Sequence, residues 1–161
     1  MQAVSFAAHR GGSTSKTMAV LEDFLKRWAE CAVACHVSES SWDPKANCVV
    51  HLMNSALAEE ALLQLREIFP QLWSRRDSEH LPDDISPIVN NFGGFQDGQF
   101  VAATEPMDGV RAWAWWSPWA DDVTVSIRVG LLGDVTDAQL LTLRSVLNGL
   151  RPSDPKLRLS E

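Results

Sequence analysis

Apolar and polar positions alternate most regularly between Val110 and Gly130, a stretch that holds four of the seven tryptophans. From Val123 to Val129, β-branched residues alternate with polar ones, which is typical of a strand with one buried face. The segment Val110–Trp116 alternates in the same way. Between them, Ser117–Asp122 contains a proline and two aspartates, which favour a turn. The pattern therefore predicts a β-hairpin at the centre of a sheet.

The two faces of this hairpin differ in character. One face carries the valines of the second arm together with the alanines and Trp116 of the first arm, and we expect it to face the core. Trp113 and Trp115 fall on the other face, beside Arg128. Two interpretations are open: a helix covers these tryptophans, or they form an exposed surface that contacts a partner.

Apolar spacings of three and four residues predict three helices. The first covers Met18–Cys35, and a second begins at Ser55 with a stripe that reaches Leu72. The third follows Thr136, where Gln139 three residues later matches a capping box. The apolar face of the first helix consists of Leu21, Phe24, Trp28, Cys31 and Cys35.

Short apolar runs predict further strands at Ala3–Ala8, Cys48–Met53 and Gln99–Thr104. Ser38–Asn47 and Ser74–Pro87 are predicted to be loops. The order β-α-β-α-β-β-β-α predicts an α+β fold, in which a mixed sheet has a parallel start and a C-terminal antiparallel meander, with helices packed on it. We expect one domain over 1–152 and a short tail over 153–161.

Composition and charge narrow the classes of function. With a formal net charge of −7, a pI of about 5.0 and no cluster of basic residues, the chain is not expected to bind nucleic acid. No apolar run approaches the roughly 20 residues of a membrane helix, so no membrane association is expected. The first residues lack the pattern of a secretory signal, and the odd count of three cysteines does not form a disulfide framework. We therefore expect a cytoplasmic protein.

The segment Arg10–Thr17 has the order of a phosphate-binding loop, because two glycines and a Lys-Thr pair stand between a predicted strand and a helix. Glycines expose backbone amides to a phosphate, and a lysine meets its charge at the helix N-terminus. In this order the segment resembles the variant loop of the ParA/MinD partitioning ATPases, although Ser15 stands where that family has glycine. The resemblance implies nucleotide binding as an alternative function, and a plain Gly/Ser-rich turn is the other interpretation. The nucleotide-binding residues that it implies are Gly11, Gly12, Lys16 and Thr17.

Cysteine and histidine residues of the types that bind zinc occur between Cys31 and His51. Cys31 and Cys35 lie on the apolar face of the predicted helix, where thiols behave as small hydrophobic groups. Cys48 and His51 are three residues apart on a predicted strand, so their side chains point to opposite faces. We expect buried structural cysteines, with no metal and no cofactor.

The sequence carries no recognised catalytic motif, neither GxSxG nor HExxH. Asp83-Asp84 and Asp121-Asp122 are adjacent pairs in predicted turns, where side chains diverge into solvent. The sequence therefore predicts a protein that is not an enzyme.

Acidic residues stand in several turns around the predicted meander, including the loop Asp77–Asp84. Carboxylates around exposed tryptophans would form an aromatic centre with a charged rim, the usual anatomy of a protein interface. A solvated acidic face without a partner is the alternative. By analogy with the broad class of immunity proteins, we predict a small, non-catalytic binding module that inhibits a protein with a basic surface; its oligomeric state is left open. The predicted partner-binding residues are Trp113, Trp115, Trp119, Asp121, Asp122 and Arg128.

Overall fold

The structure is a computed structural model that describes residues 2–148, with side chains from Met18 to Asn148. The predicted tail, 153–161, lies outside this range. In chain order the elements are α1 (Gln2–Ala34), β1 (Glu39–Asp43), β2 (Cys48–Asn54), α2 (Ala58–Ile68), β3 (Gln71–Ser74), α3 (Ser86–Asn91), β4 (Phe100–Ala103), β5 (Val110–Pro118), β6 (Thr124–Gly133) and α4 (Asp137–Leu147). Short 3-10 helices, Ser55–Leu57 and Arg75–Asp77, lie before α2 and after β3.

The six strands form one sheet in the order β1-β2-β6-β5-β4-β3. Strands β3 to β6 are consecutive neighbours, so the predicted α+β class and C-terminal meander are confirmed. Each pairing between the described strands is antiparallel, so the predicted parallel start is wrong. Helix α1 runs through Ala3–Ala8, where a strand was predicted. A six-residue apolar run does not by itself distinguish a strand from a turn of helix.

Two strands lie in segments whose sequence does not predict them. Strand β1 lies within the predicted loop Ser38–Asn47, and β3 places Leu72 in the sheet rather than in the stripe of α2. Both are edge strands, since β1 and β3 end the strand order. An edge strand is half exposed and needs no continuous apolar run, so its polar sequence resembles that of a loop.

One face of the sheet packs against α1, α2 and α4, and this layer forms the larger core. The apolar face of the hairpin contributes Ala112, Trp116 and Ile127, as the alternation predicts. Helix α4 is held at its start by the predicted capping box, in which Thr136 and Gln139 each accept a hydrogen bond from the other residue's amide. The buried residues from the helices are Leu21, Phe24, Leu25, Trp28, Cys31, Ala32, Ala61, Leu65, Leu143 and Leu147.

The opposite face of the sheet is covered over β3, β4 and β5 by the segment that contains α3. Ile85, Ile88 and Val89 of this segment pack against Trp113 and Trp115 in a second, smaller core. Arg111 fixes the segment to the sheet: its Nη1 donates to Asp84 Oδ2 at 2.8 Å and its Nε donates to the carbonyl of Thr104 at 2.9 Å. The short helix therefore acts as the cover that one of the two interpretations of the tryptophans requires.

Trp113 lies directly on Gly130 of the neighbouring strand. A Cβ atom at Gly130 would stand 2.4 Å from Cζ2 of that indole, which no real contact allows. We expect Gly130→Ala to destabilise the folded state by about 3 kcal/mol, because the ring would have to leave its packed position. Chemical denaturation monitored by circular dichroism measures this free energy of unfolding.

The matched background for this test is Trp113→Phe, since phenylalanine lacks the fused ring that contributes Cζ2. Gly130→Ala should cost clearly less in that background than in the native chain. An equal cost in both backgrounds would show that the close approach of the indole is not its cause.

Candidate functional site

The predicted partner-binding residues do not form one surface. Trp113 and Trp115 are only 4% and 2% exposed, so the interpretation that they contact a partner is wrong. Phe95 stacks on Trp115 with 5.3 Å between ring centroids, and Phe92 contacts the same indole at 4.9 Å. The alternation correctly places both tryptophans on one face but does not reveal the aromatic residues that cover them.

Arg128 is half-buried and already paired within the fold. Its Nη1 donates to Asp43 Oδ2 at 2.6 Å, and its guanidinium lies 5.2 Å from the centroid of the Phe92 ring. Burial opposes ionisation of Asp43, but the hydrogen bonds from Arg128 and from the amides of Lys45 and Ala46 lower the pKa of its carboxyl. Arg128 therefore ties the β1–β2 turn to β6. At about 3.3 Å per residue, it lies roughly 13 Å along the strand from Thr124, away from the hairpin turn.

Asp121 is occupied in forming the hairpin turn. Its Oδ1 accepts from the amides of Val123 and Thr124 at 3.0 and 2.9 Å, and its Oδ2 accepts from the Thr124 hydroxyl at 2.8 Å. These hydrogen bonds lower the pKa of the Asp121 carboxyl. Asp121 is a turn-forming residue, and changing it would alter the conformation of the turn together with its charge.

Two apolar side chains on this turn are exposed to solvent. Trp119 is 46% exposed and Val123 is 56% exposed, and the Trp119 amide donates to Thr124 O at 2.9 Å across the turn. Asp122 is exposed between them with a φ of 62°, and its carbonyl accepts from Ser55 Oγ at 2.9 Å. Alternation predicts Val123 on the core face, but the residue precedes β6 and escapes burial. The period of a strand does not show where the strand begins.

The loop before β4 lies beside this turn. Gln99 Nε2 donates to Ser117 Oγ at 2.8 Å, and Gly98 lies against the ring of Pro118. Asp97 is therefore held close to the hairpin, with its side chain 95% exposed and an ion pair to Arg75. We refer to Trp119, Asp122, Val123 and Asp97 as the hairpin-end surface.

The predicted acidic ring is only partly formed. Asp97 and Asp122 lie at the hairpin end of the sheet, as the antiparallel register requires. Asp84 pairs with Arg111 at the start of β5, and Asp108 precedes Val110, so both lie at the opposite end. The turns alternate between the two ends of an antiparallel meander, so acidic turns that are consecutive in sequence do not share one edge.

The cysteines and histidines considered as a metal site are not brought together. Cys31 and Cys35 are in the larger core, whereas Cys48 is in the smaller core on the other face of the sheet. Burial raises the pKa of Cys48 to about 11, against the opposing effect of Arg128, so this thiol stays protonated. Among the side chains from Met18 to Asn148, no group of three or more potential ligands is placed to hold a metal ion.

His51 is fully buried and has a structural role. Trp28 Nε1 donates to His51 Nε2 at 3.0 Å, so Nε2 is the accepting nitrogen and Nδ1 carries the proton. Nδ1 lies 2.7 Å from Ser40 Oγ, to which it donates. Burial lowers the pKa of His51 to about 3. The neutral ring thus joins α1, β1 and β2 through one pair of hydrogen bonds.

The predicted phosphate loop is also not formed. Residues 10–17 lie inside helix α1, which is continuous from Gln2 to Ala34. Amides in the interior of a helix donate to carbonyls four residues earlier, so they are not free to surround a phosphate. The strand–turn–helix order that the resemblance requires is absent, so Gly11, Gly12, Lys16 and Thr17 do not form a phosphate loop in this structure.

Comparison of the chain with protein-family models, with curated proteins and with solved structures gives no match. Among the described helices, none combines the length and the hydropathy that crossing a bilayer requires.

Proposed function

We propose that this protein is a small, non-catalytic binding module that recognises another protein through the hairpin-end surface. The observation that carries the proposal is the exposure of Trp119, at 46%, next to Val123, at 56%, on one rigid turn. Tryptophan is among the residues that contribute most to protein interfaces, because it supplies a large contact area with little conformational freedom to lose.

The rigidity of the turn supports this assignment. Asp121 closes the turn with hydrogen bonds to two amides and a hydroxyl, and Ser55 links it to the start of α2. A contact group on a turn that is fixed in this way pays little entropy when it binds. The backbone that carries Trp119 is therefore held in one conformation.

The chemistry of the surface favours a basic partner. Asp122 lies between the two apolar residues and Asp97 is in the neighbouring loop, and the first turn of α2, with Glu59 and Glu60, follows the Ser55 contact. The whole chain carries a net charge of −7, which would accelerate the approach of a positively charged protein. The specific role we propose is an inhibitor of the immunity-protein kind, which acts in the cytoplasm by masking a basic surface of its target.

The proposal is tested with a double variant, Trp119→Ala with Asp122→Asn. Asparagine tolerates the left-handed backbone of position 122, so the change removes a charge and leaves the turn intact. We expect the native chain to retain one basic protein from native lysate in stoichiometric amount. The variant should bind that protein at least about 30-fold more weakly, which corresponds to the loss of roughly 2 kcal/mol at a central contact residue. Surface plasmon resonance of the purified pair measures this change.

The matched control is Leu141→Ala with Asp23→Lys, which alters an exposed apolar residue and an exposed acid on helices α4 and α1. Its affinity should stay within about threefold of the native value, since it lies outside the surface. Retention that is equally weakened by the control and by the variant would contradict the assignment of the hairpin-end surface. Affinity that does not fall with rising salt would contradict a basic partner.

A further inference from the structure

A cavity beside β3 carries a positive charge that the acidic composition does not suggest. Its volume is about 840 Å³, and it is bounded by α2, by the segment after β3 and by the loop before β4. Volumes of this size are typical of sites for small organic molecules. Its lining includes three arginines, Arg66, Arg75 and Arg76.

The charges in this cavity are not balanced. Arg75 pairs with Asp97 at 2.6 Å, and Asp77 accepts a hydrogen bond from the Ser74 amide at 2.8 Å. Both acidic groups of the cavity are therefore engaged within the fold. Neither the Arg66 nor the Arg76 guanidinium forms a hydrogen bond or ion pair with a described residue. Two guanidinium groups are left with their donors available toward one space.

Apolar side chains also line the cavity, beside the polar residues Ser74, Gln96 and Gln99. Leu62 of α2, Leu72 of β3 and Phe100 of β4 line the same cavity, and Phe100 is buried in the larger core. An apolar wall next to two unpaired guanidinium groups matches a molecule that has an apolar body and an anionic end. The planar guanidinium binds carboxylates and phosphates through paired hydrogen bonds.

We propose that this cavity is a binding site for a small organic anion, whose carboxylate or phosphate contacts Arg66 and Arg76 and whose apolar body lies against Leu72 and Phe100. The cavity adjoins the hairpin-end surface, because Asp97 belongs to both, but the four residues assigned to the ligand lie outside that surface. The proposal does not depend on the protein partner proposed above. The chemical class follows from the side chains: the arginines select the charge, and the leucine and phenylalanine select a ligand with an apolar group.

Titration of the ¹⁵N-labelled protein with phenyl phosphate and with benzoate tests this proposal and distinguishes the two anionic groups. We expect saturable shifts of amide resonances in residues 74–77 and 96–100, with a Kd below about 1 mM for one or both probes. The variant Arg66→Glu/Arg76→Glu should weaken binding at least about tenfold. Arg27→Glu, at an exposed position of α1, is the matched control and should bind as the native chain does.

Each other outcome overturns part or all of the proposal. Shifts that do not saturate, or that appear elsewhere, would overturn the site. Equal affinity for inorganic phosphate and phenyl phosphate would overturn the role of the apolar wall. Affinity that is unchanged in the arginine double variant, with an intact spectrum, would overturn the role of the two guanidinium groups.

Discussion

Replacing Trp115 with alanine is expected to lower the free energy of unfolding by about 4 kcal/mol, the cost of removing a large aromatic side chain from a core. The indole is 2% exposed and stacks on Phe95 with an interplanar angle of 6°. Phe92 and Val101 belong to the same core, and these neighbours would lose their contacts with the indole. Urea denaturation followed by tryptophan fluorescence and circular dichroism measures the loss.

Trp119→Ala is the matched control for this prediction, because it removes the same side chain from an exposed turn of the same hairpin. Its cost should stay below about 1 kcal/mol, as for most surface substitutions. Similar losses from the two changes would contradict the division of the tryptophans into core and surface. Because Trp115 is buried, a loss of partner binding in Trp115→Ala would result from unfolding and would not identify Trp115 as a contact residue.

The second large effect is a dependence of stability on pH that comes from His51. Its pKa is lowered to about 3 by burial, whereas a histidine in the unfolded chain titrates near 6.5. Between these values the unfolded state binds one more proton than the folded state. The contribution of neutral His51 to the free energy of unfolding is therefore complete above about pH 6.5. Below that pH, the free energy of unfolding falls by about 1.4 kcal/mol per pH unit.

The measurement is the free energy of unfolding at several pH values for the native chain and for His51→Gln. Glutamine offers a donor and an acceptor to Ser40 and Trp28 but does not titrate. The native chain should lose about 1.4 kcal/mol per pH unit more than the variant below pH 6.5, whatever the absolute stability of the variant. His80→Gln, at an exposed position, should keep the full native slope. Parallel curves for the native chain and His51→Gln would contradict this account.

Much of the central sheet and of the helical layer is predictable from the sequence, because burial on one face imposes a period. The valines of β6 and the stripe from Leu21 to Cys35 repeat at the spacing that their element requires, and both predictions are confirmed. The exact start of the second helix is less predictable. The sequence predicts that it begins at Ser55, but Ser55 lies in a 3-10 turn that precedes α2 and is capped by the side chain of Asn54. The local sequence therefore predicts the type of an element more reliably than it predicts the residue at which the element begins.

The candidate site is less predictable, since it depends on contacts between distant segments. Trp113, Trp115 and Trp119 look equivalent in sequence, but only the first two meet Phe92 and Phe95, about 20 residues earlier in the chain. The two unpaired arginines of the cavity are ten residues apart in sequence and lie on different elements. No pattern of neighbouring residues in the sequence predicts that these two arginines line one cavity.

The position of β6 between β5 and β2 has a consequence for the order in which the chain can fold. Strand β2 pairs with residues 124–130, which are made long after it during synthesis. Until β6 is present, the β1–β2 hairpin lacks its third strand, and α1 and α2 lack the residues that β5 and β6 contribute to the larger core. The larger core is therefore completed only when the last hairpin joins the first half of the chain. The entropic cost of closing the intervening loop, which grows with the logarithm of its length, slows this step.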